Sequence, residues 1–436
     1  MSTTRAVIAS VVGLGLSLVL GVAGALAIYN TKDGQVQGSS AQEVMFPDTP
    51  TGALAVLDQD DNLASLIVLA IRPSDDDDAG RGGTIVPIPV SADVSGGVGP
   101  ERLPLDETVS LFGSASLQDE LPALLGVSID QIAVATQAEL AAMLAPVGPT
   151  DLTLPVPVTG NGGTVIAEAG ATALDGAQMA EALASLDPDV TGTGAYDADV
   201  AVWRAFADAI GDGLSTPLAI TAGESTAAVG DRATIGELVG RLTSGPVSVQ
   251  PLRSDPVVSV DLNPRGIEAV ALDRVEVSVI FGHVAPSRVA APYAGYTFRL
   301  VSSFSDEQLP AGVARLDVAY TATKALVAME TNVRSVDTVA AAAESATVVE
   351  VADEGLLLAG ERLGDIFGPV EVRVAERRIA GIDMVVTLGT DYLATLDTDV
   401  ATATTGSDAG PVTDSAAAQT TDGDGAATTV AEDTFD

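Results

Sequence analysis

None of the 436 residues is cysteine, so disulfides, thiolate catalysis and cysteine-held zinc are excluded at the outset. Histidine occurs once, at His283, and one imidazole cannot build a histidine metal cluster. It ends the apolar run Val279-Ile280-Phe281-Gly282. There it reads as a partly buried or turn histidine, with a general base as the alternative. Lysine is nearly missing, with Lys32 and Lys324 its two occurrences among 20 cations. Those 20 cations face 60 acidic residues, for a formal charge of -40. A surface this negative repels phosphate backbones, which excludes nucleic acid as a partner. No phosphate-binding glycine loop with its lysine is present. Gly13-Leu14-Gly15 lies in an apolar N-terminal segment, and Gly160-Asn161-Gly162-Gly163 reads as a turn.

What is present suffices for burial: 47% of the residues are hydrophobic, and the length allows two or three domains. The Ala, Val, Gly, Asp and Thr bias fits a GC-rich genome. Ala6 to Tyr29 carries no charge, and about 20 such residues cross a hydrocarbon core of about 30 Å. Arg5 precedes it, and Lys32, Asp33 and acidic sequence follow. The positive-inside rule then leaves Met1 in the cytoplasm and the bulk of the chain outside. The competing reading is a cleaved signal peptide, for which Ala25-Leu26-Ala27 supplies small residues.

The pattern divides the chain into an anchor (1–30), a polar linker (31–48), a larger unit (49–252), a smaller one (255–395) and an acidic tail (396–436). In the larger unit Leu54–Leu57, Ser65–Ile71 and Thr84–Val90 are continuous apolar runs, as in strands covered on both faces. Further strands are expected at Pro217–Thr221 and Val247–Pro251. Helices are expected at Leu117–Leu125, Gln137–Leu144, Gly176–Leu186 and Asp197–Ile210. Strands alternating with helices predict an α/β fold, a layered sheet with flanking helices. The smaller unit reads as α/β too. Val275–Ile280 alternates at period two, as a strand does, and Val370–Val374 and Met384–Leu388 are further strands. Val336–Glu344 and Gly355–Phe367 read as helices. The tail is Thr-, Asp-, Ala- and Gly-rich, with too few large apolar side chains to offset ordering entropy.

Leu124-Leu125-Gly126-Val127-Ser128-Ile129-Asp130 precedes a helix ending at Leu144. Val147-Gly148-Pro149-Thr150-Asp151-Leu152 follows it, and then Leu174-Asp175-Gly176-Ala177-Gln178. In this order they resemble the "LLGIPID", "GGVEVDVP" and "LNGEQAL" segments of the LytR-CpsA-Psr family. Near the other end, Ile382-Asp383-Met384-Val385-Val386-Thr387-Leu388-Gly389-Thr390-Asp391-Tyr392 is similar to the "DVVVVLGxDF" ending of the C-terminal domain carried by many of its members. Leu358–Leu363 resembles the helix before that ending. The resemblance implies an actinobacterial-type, membrane-anchored envelope protein.

The family transfers glycopolymers from a polyprenyl-pyrophosphate carrier to peptidoglycan. That chemistry needs cations over the phosphates and carboxylates around a metal. Carried over residue by residue, these groups are missing. The "SDT" strand start falls on Ala64 and Ser65, and the Arg and Asp of "IPRD" fall on Val90 and Ser91. "YVRSR" falls on Ala182-Leu183-Ala184-Ser185-Leu186, and "GRxxRQ" on Gly194-Ala195-Tyr196-Asp197-Ala198-Asp199. The expectation is therefore a non-catalytic binding or assembly module with no catalytic residue, no metal and no cofactor.

Candidate partners are the membrane, a cell-wall glycan, a polyprenyl-linked intermediate or another envelope protein. The alternative is a divergent glycopolymer–peptidoglycan phosphotransferase, with Asp93 replacing Ser91 and Arg204 contacting the anion. Arg204 is the one candidate anion-binding residue, against the reading of a surface arginine on an amphipathic helix. Asp75–Asp78 is either a solvated acidic run or a hard-cation site.

Overall fold

The structure, a computed structural model, describes residues 42–73, 82–96, 102–160, 163–185, 193–220, 233–258 and 263–403. The expected anchor, most of the linker, Asp75–Asp78 and residues 404–436 lie outside the described residues. Among the described residues no helix is long and apolar enough to cross a membrane. One compact unit runs to Leu393 and a second takes Ala394–Asp436. Helix Thr390–Ala403 continues past residue 396, where the tail was expected to begin.

The larger sheet consists of β1 (Thr51–Leu57), β2 (Leu63–Ile71), β3 (Gly83–Pro87), β4 (Gln131–Thr136) and β5 (Val247–Val249). Their spatial order is β5-β3-β2-β1-β4, antiparallel at the centre and parallel at both edges. All nine residues of β2 are buried, which accounts for its unbroken apolar run. Alternate side chains feed two cores. On one face Leu54, Val56, Ile67 and Leu69 meet helices α3 (Gln137–Leu144), α4 (Gly176–Leu183), α5 (Thr193–Ile210) and α6 (Ile235–Thr243). On the other, Ala53, Ala55, Leu66 and Val68 meet α1 (Leu105–Phe112), α2 (Leu117–Leu125) and α7 (Arg274–Val284). This is a helix–sheet–helix layering, and each fully buried Leu or Ile in it stabilises by about 1.5–3 kcal/mol.

The motifs have local mechanical roles. Gly126 caps α2 at φ 64°, a left-handed conformation that suits glycine. Asp130 then accepts the Thr51 N–H at 3.0 Å and pairs with Arg288 at 2.7 Å, tying β1 to the chain beyond α7. Asp175 and Gln178 form a reciprocal capping box at the start of α4, at 2.9 and 3.0 Å. Between them Gly176 lies so close to α3 that a Cβ would stand 1.9 Å from the Leu144 carbonyl oxygen.

A second sheet contains β6 (Thr297–Ser303), β7 (Asn332–Val339), β8 (Thr347–Val351), β9 (Val370–Val374) and β10 (Met384–Thr387), in the order β7-β6-β10-β8-β9. Three expectations are corrected here. Val275–Ile280 is helical, inside α7, and not a strand. Val336–Glu344 is not helical: its first half belongs to β7, which pairs parallel with β6. Pro217–Ile220 forms no strand.

Helix α7 also joins the two sheets. Val277, Ile280 and Phe281 enter the first sheet's core, while a Cβ on Gly282 would meet Val336 of β7 at 3.3 Å. His283, exposed at the end of α7, donates from Nδ1 to the Val336 carbonyl at 3.0 Å, the turn-histidine role. Residues 252–255 lie between the two sheets in sequence. The chain before them joins the second region as well, because Gln42–Val44 pairs parallel with Arg377–Ile379.

Candidate functional site

At the end of the larger sheet where β2 begins and β3 ends, the two helical layers part around a cavity of about 190 Å³. Beyond β3 the chain crosses the start of β2, with the Ile88 N–H donating to the Leu66 carbonyl at 2.8 Å. This crossing places Ala64, Ile88, Val90 and Ser91 on one wall. The end of α4 supplies Ala182 and Ser185, and the first turns of α5 supply Ala195, Tyr196, Ala198, Asp199 and Val202. Asp106 of α1, Val156–Thr159 and Glu268 complete the lining.

The positions aligned with the four site motifs of the resembled family therefore converge on one cavity, though they lie far apart in sequence. No lysine, arginine or histidine is among the lining residues.

The titratable side chains that line the cavity are three acids and a tyrosine. Burial pushes the Asp199 carboxyl up to about 8, against the opposing pull of a hydrogen bond to Ser65. Burial also raises Asp106, with the neighbouring Glu107 charge adding to it, and backbone N–H groups pull the other way. Glu268 is raised by burial and then by the charge of Asp106. The Tyr196 hydroxyl is committed: it donates to the Pro87 carbonyl at 3.1 Å and accepts the Leu252 N–H at 2.8 Å. Burial raises its pKa as well.

The two candidate substitutes do not reach the cavity. Asp93 is buried and bonded to Arg102 at 2.9 Å, to the Ser95 hydroxyl at 2.9 Å and to the Leu103 N–H at 3.2 Å. Burial alone would raise its pKa, but these bonds outweigh burial and hold it below the usual carboxylate value. Arg204 is exposed on α5 and is not among the lining residues. Among the described residues no group of His, Asp or Glu is placed to hold a metal ion.

No protein-family model and no curated protein matches the sequence. Its neighbours among solved structures include LytR-CpsA-Psr proteins. TagV of Bacillus subtilis is 14% identical, with a TM-score of 0.36, covering 53% of this chain and 93% of that one. TagT of the same organism is 13% identical, with a TM-score of 0.37, covering 56% and 95%. YwtF (TagT), a LytR-CPS2A-psr family protein solved with octaprenyl pyrophosphate bound, is 15% identical with a TM-score of 0.34, covering 53% and 86%. Each of these matches spans about half of this chain.

Sequence reading missed Asp106 and Glu268, and it quoted Asp199 only as part of a substituted motif. Asp106 reads as an ordinary first-turn acid of a helix, and Glu268 stands in a loop with no periodicity. Only the folding of α1 and that loop over the strand ends makes them cavity residues.

Proposed function

We propose that this chain is a non-catalytic counterpart of the LytR-CpsA-Psr proteins it resembles. It is an extracytoplasmic envelope protein, held by its N-terminal apolar segment, whose scaffold serves as a binding or assembly module in the attachment of cell-wall glycopolymers. The observation carrying this reading is the cavity itself. The positions that would supply phosphate-binding cations and metal-binding carboxylates surround it as Ala64, Val90, Ser91, Ala182 and Ser185.

A diphosphate placed there would meet Asp106, Asp199 and Glu268 with no lining cation to offset them. At an effective dielectric of ~20, each ionised carboxylate about 5 Å from the diphosphate costs ~3 kcal/mol, a repulsion that Asp199 joins once it loses its proton near pH 8. Phosphoryl transfer depends on cations where charge develops, so this cavity opposes it. The polyprenyl-linked intermediates and glycans that fit the scaffold would have to be met elsewhere on its surface, or through a partner protein.

The test is a turnover assay on the full chain in lipid nanodiscs, with magnesium or manganese and geranyl pyrophosphate as a minimal donor. No release of phosphate above the blank is expected. Metal-dependent turnover that disappears in Arg204→Ala or Asp199→Asn would overturn the reading in favour of a divergent phosphotransferase.

A further inference from the structure

Repulsion of a diphosphate explains what the cavity refuses and leaves open what it admits. Two properties of the cavity bear on that. Most of its wall is aliphatic, with Ile88, Val90, Val156 and Val202 among the lining side chains. A dry cavity of ~150 Å³ holds a benzene-sized guest, so about 190 Å³ suits a body of roughly six carbons.

The second property is uncompensated acidity within that aliphatic wall. Asp199 has the neutral Ser65 hydroxyl as its hydrogen-bond partner, and Asp106 accepts the Glu107 N–H of its own helix at 2.7 Å. The arginines nearest in sequence to the Asp106 wall are engaged elsewhere. Arg102 is bonded to Asp93, and Arg265 to Glu107 at 3.1 Å and to the Arg102 carbonyl at 2.7 Å. A buried carboxyl without a cation is costly as an anion, and a guest that brings the cation removes that cost.

We infer that the cavity binds a small amphiphilic cation, an ammonium group on an apolar body, with the ammonium at Asp199 and Asp106 and the body against the aliphatic wall. The inference rests on the preceding reading of the cavity as a binding site and supplies its ligand class. A neutral polyol would satisfy hydrogen bonds there but would do nothing to favour the ionised carboxylates. The chain's formal charge of -40 adds a field that draws cations towards it. The groups facing the ammonium are Asp106, Asp199, Glu268 and Tyr196. Asp199 holds a proton up to about pH 8, so a cation seated beside it displaces that proton and binds more tightly as pH rises from 6 to 9.

The experiment is calorimetric titration of the full chain in lipid nanodiscs, with empty nanodiscs as the blank and n-hexylammonium, n-hexanol and n-hexyl phosphate as probes. Hexylammonium is expected to bind saturably, at least about tenfold tighter than hexanol, with each methylene from butyl to hexyl adding about fourfold. Hexyl phosphate is expected not to saturate. The near-isosteric Asp199→Asn with Asp106→Asn should bring hexylammonium down to the affinity of hexanol, and Ala182→Leu should weaken both by filling the cavity. Equal binding of hexylammonium and hexanol, or a preference untouched by the Asn variants, overturns the inference and leaves the non-catalytic reading standing. Tightest binding of hexyl phosphate overturns both.

Discussion

Asp199 couples the cavity to the stability of the molecule. In the folded state its carboxyl keeps its proton to about pH 8, whereas in the unfolded chain it loses it near pH ~4. Between these values the folded state binds more protons than the unfolded one, so this group lowers stability as pH rises through that window. Asp199→Asn removes the dependence while keeping a partner for the Ser65 hydroxyl. Thermal unfolding should show the variant stabilised at pH 8, on the order of 1–3 kcal/mol after relaxation, and little changed at pH 4. A variant less stable at pH 8 would mean that the carboxylate is ionised and paired. At this scale the sequence made part of the site legible. Ala64, Val90 and Ser91 could be found because flanking motifs fixed their register. Asp106 and Glu268 could not, since nothing local to them distinguishes a cavity wall from solvent.

Among the elements, the legible ones are those whose pattern and boundaries agree. Helix α4 begins with Asp175 and Gln178 at capping-box spacing, and β2 is a nine-residue apolar run, so both follow from local rules. Helix α7 failed to show because it is buried on two sides. Val277, Val279, Ile280 and Phe281 are all inside, so its sequence carries no single apolar stripe, and the β-branched alternation Val275-Glu276-Val277-Ser278-Val279 imitates a strand. Its start was nevertheless encoded: Asp273 accepts the Val275 N–H at 2.9 Å as an N-cap. Val336–Val339 has the opposite problem: it pairs with β6, and the alanine run after it, 340–343, is neither helix nor strand despite its helix propensity. The start of α4 lies close against the end of α3. Gly176→Ala forces a methyl against the Leu144 carbonyl and should cost about 1–3 kcal/mol in chemical denaturation. A change of a few tenths would show that α3 and α4 can separate freely.

For the whole molecule, the excess of 40 negative charges sets both solubility and self-repulsion. Exposed charges farther apart than a Debye length of ~10 Å at 0.1 M are screened, so added salt should stabilise the fold. The melting temperature is expected to rise on going from about 0.05 to about 0.5 M sodium chloride. A fall would mean that ion pairs such as Arg288–Asp130 outweigh the net repulsion. The layered α/β architecture was legible because alternating strands and helices admit few packings. The joining of the two sheets through α7 was not, since it depends on a helix that the sequence disguises.

The proposed function stands on a cavity that opposes diphosphate. Calorimetric titration of the full chain with geranyl pyrophosphate and magnesium addresses it most directly. The account predicts no saturable binding up to millimolar ligand, which corresponds to less than about 4 kcal/mol of affinity. Micromolar binding that competes with a guest in the cavity and weakens in Val90→Asp would contradict it.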